Sequence, residues 1–458
     1  ESQYGAKILF RDWIPQAYVD HHQMGNGGAR MYVPPYADPI RPAGDPLVWR
    51  EMSWYGAHIA YKEEEAGLSG IVNAAIYSGW GHFGFHWITP FHNIAGMLTE
   101  AASARLATPV FQHADELSGG RRAFPEYEAQ TTFPHPWEGG WWRLRDIVDR
   151  QKVAALAILD IAARNRETVL RNAWLKAKRQ TERGAEGDVR AFVIPAQQHD
   201  PLTMQEMVNK LLGQGIEVRR SADGFTHGGR IYGPGSFVVS MAQPKRGVIR
   251  WLLGRTFYPD NEWTRDRDGD PIRPYDMSAD VMAEFMGVRV DPVGEMPEAE
   301  TEVVSGWLEP RGTVTAGRWG TVVDGRLNAA FKAVNRLFDE GVPVRRVVRA
   351  GQAGLRPGDF VVPASAPAEL LAGLARETGV DFAAVDADPS RVTQPARRLR
   401  IGLYKRYGGG NIDEGWTRLL LETWGFPHDS LMDARVPRGD LRDDYDVIIL
   451  ADDGLARM

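Results

Sequence analysis

Part of this chain is written twice. Leu211-Leu212-Gly213-Gln214-Gly215-Ile216-Glu217-Val218-Arg219-Arg220, followed by Pro234-Gly235-Ser236-Phe237-Val238-Val239, returns as Leu337-Phe338-Asp339-Glu340-Gly341-Val342-Pro343-Val344-Arg345-Arg346 and Pro357-Gly358-Asp359-Phe360-Val361-Val362. Each copy reads as a helix ending near a glycine, a strand, a turn and a second strand. A helix-like segment follows each, Val248 to Leu253 and Leu370 to Arg376. Two copies are too few for a solenoid, whose stability needs stacked neighbours. A pair of small α/β units with a structural or positioning role is the expectation.

On either side of the repeat the pattern changes. Leu144 to Arg179 carries apolar residues at helical spacing (Val148, Ala154, Leu156, Ile158, Leu159, Ile161, Leu170, Leu175) and predicts one or two helices. The polar, glycine-containing stretch Gln180 to Asp188 reads as a boundary. Between the copies, Asp266-Arg267-Asp268-Gly269-Asp270 hints at calcium, but its glycine is misplaced for an EF-hand and an exposed turn is expected. Beyond a proline- and arginine-marked linker near Pro395, Leu399 to Tyr404 predicts a strand, Gly408-Gly409-Gly410-Asn411 a turn, Glu414 to Trp424 a helix and Val447 to Leu450 a strand. That is the opening of a doubly wound domain. The glycine turn could cradle an anion at a helix start, although it lacks the G-x-G-x-x-G order. The segments expected are 1–184, 188–396 and 397–458, all α/β.

Composition narrows the chemistry. With a formal charge of −6 and no basic block, the chain does not read as a nucleic-acid binder. It has no cysteine, so disulfides, thiolate zinc sites and cysteine nucleophiles are excluded from this stretch. No apolar run approaches the roughly 18 residues of a membrane span. The chain opens at Glu1 without a methionine and stops soon after a strand-like run, so it is expected to be an internal piece of a longer protein.

Eight of the eleven histidines fall in the first 135 residues. His21-His22 ends the run Tyr18-Val19-Asp20, and Asp20 shares a strand face with His22. A histidine so placed can ligate a metal with the carboxylate orienting it, or it can be an ordinary surface feature. Glu100 follows the apolar run Ile94-Ala95-Gly96-Met97-Leu98-Thr99; a carboxylate there needs a partner, a cleft or a task. Tyr77 lies 23 residues before it, at the edge of the loop Ser78-Gly79-Trp80-Gly81-His82-Phe83-Gly84-Phe85-His86-Trp87, whose composition suits a pocket lining. Arg30, Arg41 and Arg50 could grip a substrate carboxylate and are otherwise expected in solvent.

The order His22, then Ile76-Tyr77, then Thr99-Glu100 resembles the second half of the zinc carboxypeptidases, the carboxypeptidase A-like metallopeptidases. The text Asp20-His21-His22-Gln23-Met24-Gly25 and Pro136-Trp137-Glu138-Gly139-Gly140-Trp141 looks like a bacterial multidomain branch of that family. The tail from Leu399 looks similar to a class I glutamine-amidotransferase-like domain. The resemblance implies the latter half of a carboxypeptidase-like mixed-sheet domain, then the repeated α/β region, then the start of a flavodoxin-like domain. It implies one Zn2+ ligated by His22, with Glu100 as the base that activates water and Tyr77 as a contact to a peptide substrate. It implies a secreted or periplasmic setting, and zinc ligands of the form His-x-x-Glu upstream of Glu1, without which the chain alone would hold zinc weakly and be inactive. His113-Ala114-Asp115-Glu116 has that spacing but follows Glu100, the reverse of the family order. The alternative is a non-catalytic peptide- or glycan-binding protein using the histidine- and tryptophan-rich loop as an apolar surface.

Overall fold

A computed structural model describes residues 2–81, 84–120, 123–124, 126–272, 274, 281–351, 354–408 and 411–452. His82 and Phe83 of the aromatic loop and Gly409 and Gly410 of the glycine turn lie outside them. The architecture is mixed α/β, divided into two compact units: Glu1–Ala196 with Asn209–Gly306, and Gln197–Val208 with Trp307–Met458. Among the described residues no helix is long and apolar enough to cross a membrane.

The first unit begins with α1 (Ser2–Lys7), β1 (Ala17–Met24), β2 (Met31–Tyr32), α2 (Pro46–Glu65), β3 (Ile71–Val72), α3 (Phe85–Ile88) and β4 (Ala95–Ala102). The strands form a mixed sheet of order β1-β4-β2-β3, with β1 parallel to β4 and β4 antiparallel to β2. Every residue of β4 is buried, as expected of a small-residue and apolar strand covered on both faces. Helix α2 starts on a cap: Asp45 accepts a hydrogen bond from the Leu47 amide at 2.9 Å, and Pro46 opens the first turn. It buries Val48, Met52, Tyr55 and Ile59, one stripe of a 3.6-residue repeat.

A short antiparallel pair, β5 (Val110–Gln112) and β6 (Gly140–Trp142), precedes α4 (Leu144–Arg164) and α5 (Arg166–Glu186). The predicted helical stretch is thus two helices. They bring two buried ion pairs to α2, Arg150 with Glu63 at 3.1 Å and Lys176 with Glu51. The stretch 180–186 is the last part of α5 rather than a break: Gln180 is buried, and a Cβ on Gly184 would overlap the Met241 carbonyl. The missing side chain lets the helix lie against that backbone.

The repeat extends well beyond its visible motif. The first copy holds β7 (Ala191–Ile194), α6 (Pro201–Gly213), β8 (Arg219–Ser221), an added hairpin β9 (Phe225–His227) and β10 (Arg230–Tyr232), β11 (Phe237–Ser240), α7 (Arg246–Leu253), α8 (Met282–Phe285), β12 (Asp291–Val293) and β13 (Thr301–Val303). The second holds β14 (Gly320–Val323), α9 (Asn328–Asp339), β15 (Arg345–Val347), β16 (Phe360–Pro363), α10 (Ala368–Thr378), β17 (Ala383–Val385) and β18 (Thr393–Pro395). The sheets are both five-stranded, ordered β12-β7-β11-β8-β13 and β17-β14-β16-β15-β18. Element for element these are one topology. Arg219 binds the Thr301 hydroxyl at 3.0 Å and its carbonyl at 2.9 Å, and Arg345 binds Thr393 in the same way at 2.8 and 3.0 Å. The repeated Arg-Arg therefore has a division of labour: the first arginine clasps the outer strand, and the second stacks on a phenylalanine, Arg220 on Phe237 and Arg346 on Phe360. The Asp266–Asp270 segment is an exposed turn closed by the Asp266 carboxylate on the amides of Asp268 and Asp270.

Pro395 ends β18, paired with Arg345 of β15, and residues 396–400 run on from it without regular structure to the next strand. The arginines after it are pinned by carboxylates, Arg397 and Arg400 by Asp446 and Arg398 by Asp339. Then β19 (Ile401–Lys405), α11 (Ile412–Thr423), β20 (His428–Met432) and β21 (Val447–Ile449) form a parallel sheet of order β20-β19-β21. Asn411 caps α11, its side chain accepting from the amides of Asp413 and Glu414.

Candidate metal centre

The parallel pairing of β1 with β4 sets His22 opposite Glu100 and His21 opposite Thr99. Since side chains alternate across a sheet, this register sorts the histidines into two environments. His21 goes to the α4 side, where Nδ1 lies 2.6 Å from Thr99 Oγ1, which donates to Gln151 of α4 at 2.8 Å. Gln151 also donates to the His22 carbonyl at 3.1 Å. That network fastens α4 to both strands and leaves His22 on the other face with Asp20. His22 does not follow the strand, as the sequence suggests, but lies within it, and Glu100 is likewise followed by two more strand residues.

On that face Asp20 sits between two imidazoles. Its Oδ1 is 2.9 Å from His22 Nε2, and its Oδ2 is 3.0 Å from His86 Nδ1. One donor atom from each of the three residues lies within 4.8 Å of the others. His86 comes from α3, which packs on β1 and β4. Gly96 of β4 permits that approach, because a Cβ there would stand 2.5 Å from the His86 carbonyl oxygen and overlap Thr89 Oγ1. The His86 ring lies against Trp87, centroids 4.2 Å apart, and Trp87 stacks in turn on Tyr36. Tyr36 also lines a cavity of about 390 Å³ with Asp38, Ile40, Trp49 and Arg50.

Burial pushes the Asp20 carboxyl up, but hydrogen bonds from His86 and His22, with their charge, outweigh it and hold the group below the usual carboxylate range. Burial lowers His86, opposed by its bond to Asp20. Glu100 is raised, chiefly by burial; a hydrogen bond from the Tyr77 phenol and the charge of His22 oppose the rise. Its Oε2 is buried with no hydrogen-bond partner among the described residues, so the carboxyl keeps a bare oxygen beside the cluster. Tyr77 is buried and meets Tyr32 edge-on, ring centroids 4.9 Å apart. In this state it is a hydrogen-bond partner of Glu100. Ile76 before it has φ 61°, a left-handed conformation that costs a β-branched residue of order 1–3 kcal/mol.

No family model, curated protein or solved structure matches the chain.

The structure brings together all three residues singled out in the sequence: His22, Glu100 and Tyr77. Where the resemblance implies further zinc ligands upstream of Glu1, Asp20 and His86 stand beside His22 as candidate donors within the chain itself. The donors fit zinc chemically, being two imidazoles and a carboxylate. His113 and Glu116 are instead tied into the 3-10 turn Ala114–Glu116, where Glu116 accepts from the His113 amide. Arg30 and Arg41 are not in solvent but fully buried, because aromatic faces replace their hydration: Arg30 lies over Trp137 and Trp142, Arg41 over Trp80 and Trp251. Arg50 is exposed. His86 was hidden because it sits 66 residues from Asp20 on a four-residue helix, where no spacing rule applies. Its one signal was the crowding of histidine and tryptophan before residue 135.

Proposed function

We propose that the centre on β1 and β4 belongs to a zinc-dependent peptidase of the metallocarboxypeptidase type. The observation that carries this reading is the register that sets His22 opposite Glu100, with Tyr77 hydrogen-bonded to that same carboxyl. His22 would hold the metal. A zinc ion, when bound, supplies a Lewis acid that polarises a carbonyl and makes water acidic near neutral pH.

The chain's own residues supply the rest. Glu100 accepts the proton of the attacking water and returns it to the leaving amine. Burial suits it to both tasks by bringing its proton affinity towards neutrality. The Tyr77 phenol, donating to Glu100 at rest, orients that carboxyl and can turn its hydrogen bond to a substrate carbonyl. The binding-only alternative depends on an apolar surface made by the aromatic loop, and its tryptophans Trp80 and Trp87 are buried. A tail related to glutamine amidotransferases and a secreted or periplasmic setting are part of the same proposal.

The test is hydrolysis of a panel of peptides by the zinc-loaded chain. Glu100→Gln keeps the shape of the side chain and removes the base, so kcat should fall by about 10²–10⁴ with KM little changed. Equal activity in Glu100→Gln and the unmodified chain would end the proposal.

A further inference from the structure

We propose that Asp20, His22 and His86 together form a complete three-donor site for one divalent transition-metal ion, without ligands from outside residues 1–458. This deepens the hydrolytic reading, on which the choice of zinc rests. Three observations carry it.

The first is proximity on rigid elements. Asp20 and His22 are two residues apart on one strand, and His86 is carried by a helix seated on that strand and its neighbour. Their donor atoms lie within 4.8 Å of one another. In a tetrahedral site two donors, each roughly 2.1 Å from zinc, stand about 3.4 Å apart. Side-chain movements totalling about 1–1.5 Å therefore close the set from a 4.8 Å separation, within reach of χ rotation.

The second is the underbonding of His86. The ring is 4% exposed, and its Nε2 has no hydrogen-bond partner among the described residues. Asp20 is the group that holds this imidazole. A buried histidine kept by a single carboxylate is poorly satisfied as a structural residue. It is well placed to exchange that bond for a metal.

The third is the donor count. Two nitrogens and one anionic oxygen are what a catalytic zinc takes from a protein, leaving a position for water or substrate. The open side is supplied by the half-exposed His22, whose side chain keeps 45% of its surface. The hydrogen bonds of Asp20 to both rings hold the donors together before an ion arrives, so little ordering remains to be done on binding.

The deciding experiment is calorimetric titration of the whole chain with Zn2+, paralleled by Co2+ titration read from its visible absorption. One ion per chain is expected, with a tetrahedral cobalt spectrum. His22→Ala, His86→Ala and Asp20→Ala should each weaken binding on the order of 100-fold or more, beyond the 10–100-fold typical of outer-sphere losses. His113→Ala should bind like the unmodified chain. Circular dichroism and a denaturation midpoint check that each variant is folded, and Asp20→Asn serves if Asp20→Ala is not. Absence of stoichiometric binding, or undiminished affinity in a folded His86→Ala protein, overturns the site. Tight one-to-one binding without peptide hydrolysis supports the site and overturns the hydrolytic reading alone. Zinc-dependent hydrolysis that survives in His86→Ala overturns the site alone.

Discussion

Replacing Gly96 with alanine adds one methyl group at the point where β4 backs onto the segment that carries His86. The new Cβ would overlap Thr89 Oγ1 and lie 2.5 Å from the His86 carbonyl oxygen, where real Cβ contacts essentially never fall below 3.0 Å. The Thr89 hydroxyl makes no hydrogen bond among the described residues and can rotate away. The carbonyl belongs to the backbone and cannot, so α3 must retreat by at least 0.5 Å, the difference between those two distances. Overpacking of this kind costs about 1–3 kcal/mol. The same retreat draws the His86 backbone away from Asp20 and His22, so zinc binding should weaken by about tenfold, as it does when ligand support is lost. Urea denaturation gives the first quantity and zinc calorimetry the second. Adding Thr89→Ala should restore little of either, because the backbone contact persists. A Gly96→Ala protein that loses stability yet keeps full zinc affinity would refute the link between β4 and His86. One that loses neither would refute the packing argument itself.

Removing the Tyr77 hydroxyl (Tyr77→Phe) withdraws the hydrogen bond that lowers Glu100, so the carboxyl should rise further. The acid limb of the kcat/KM–pH profile then moves to higher pH, and a fixed or falling limb would count against Glu100 as the base. Glu63 is raised by burial from 4.5 to about 7, so the folded chain holds its proton more firmly than the unfolded one. Its contribution to stability is full below pH 4.5 and is lost as pH rises through about 7. Glu63→Gln should flatten the stability–pH curve across that window, whereas Arg150→Met, which strands the carboxylate, should cost about 3–5 kcal/mol at neutral pH. Arg219→Ala and Arg345→Ala each delete the clasp on an outer strand. Each should cost about 1–3 kcal/mol and raise amide exchange in β13 or β18 respectively; loss in one copy alone would break the equivalence of the two.

The residue pattern was most legible where elements are long or repeated. The apolar spacing in 144–179 foretold α4 and α5, and the doubled motif foretold the helix–strand–strand core of each sheet. The outer strands escaped notice because three residues such as Asp291–Val293 carry no period. Strand β20, His428–Met432, was masked by its polar residues, since only Leu431 is buried there. At the site, Asp20 and His22 could be joined by strand alternation, and Glu100 betrayed itself as a charge against an apolar run. His86 could not be joined to them, because its approach depends on a strand glycine and on the packing of α3. The burial of Arg30 and Arg41 was equally hidden: a guanidinium reads as surface until the tryptophans that sandwich it are known.

The twin sheets have a consequence for how the chain is made. An outer strand secured by the same arginine-to-threonine grip in both copies would meet a matching arginine in its sibling's slot. Emergence from the ribosome largely prevents the exchange, because the earlier copy can close before the later one exists. Dilution from denaturant would remove that head start, and swapped edges are the trap to expect when the whole polypeptide refolds at once.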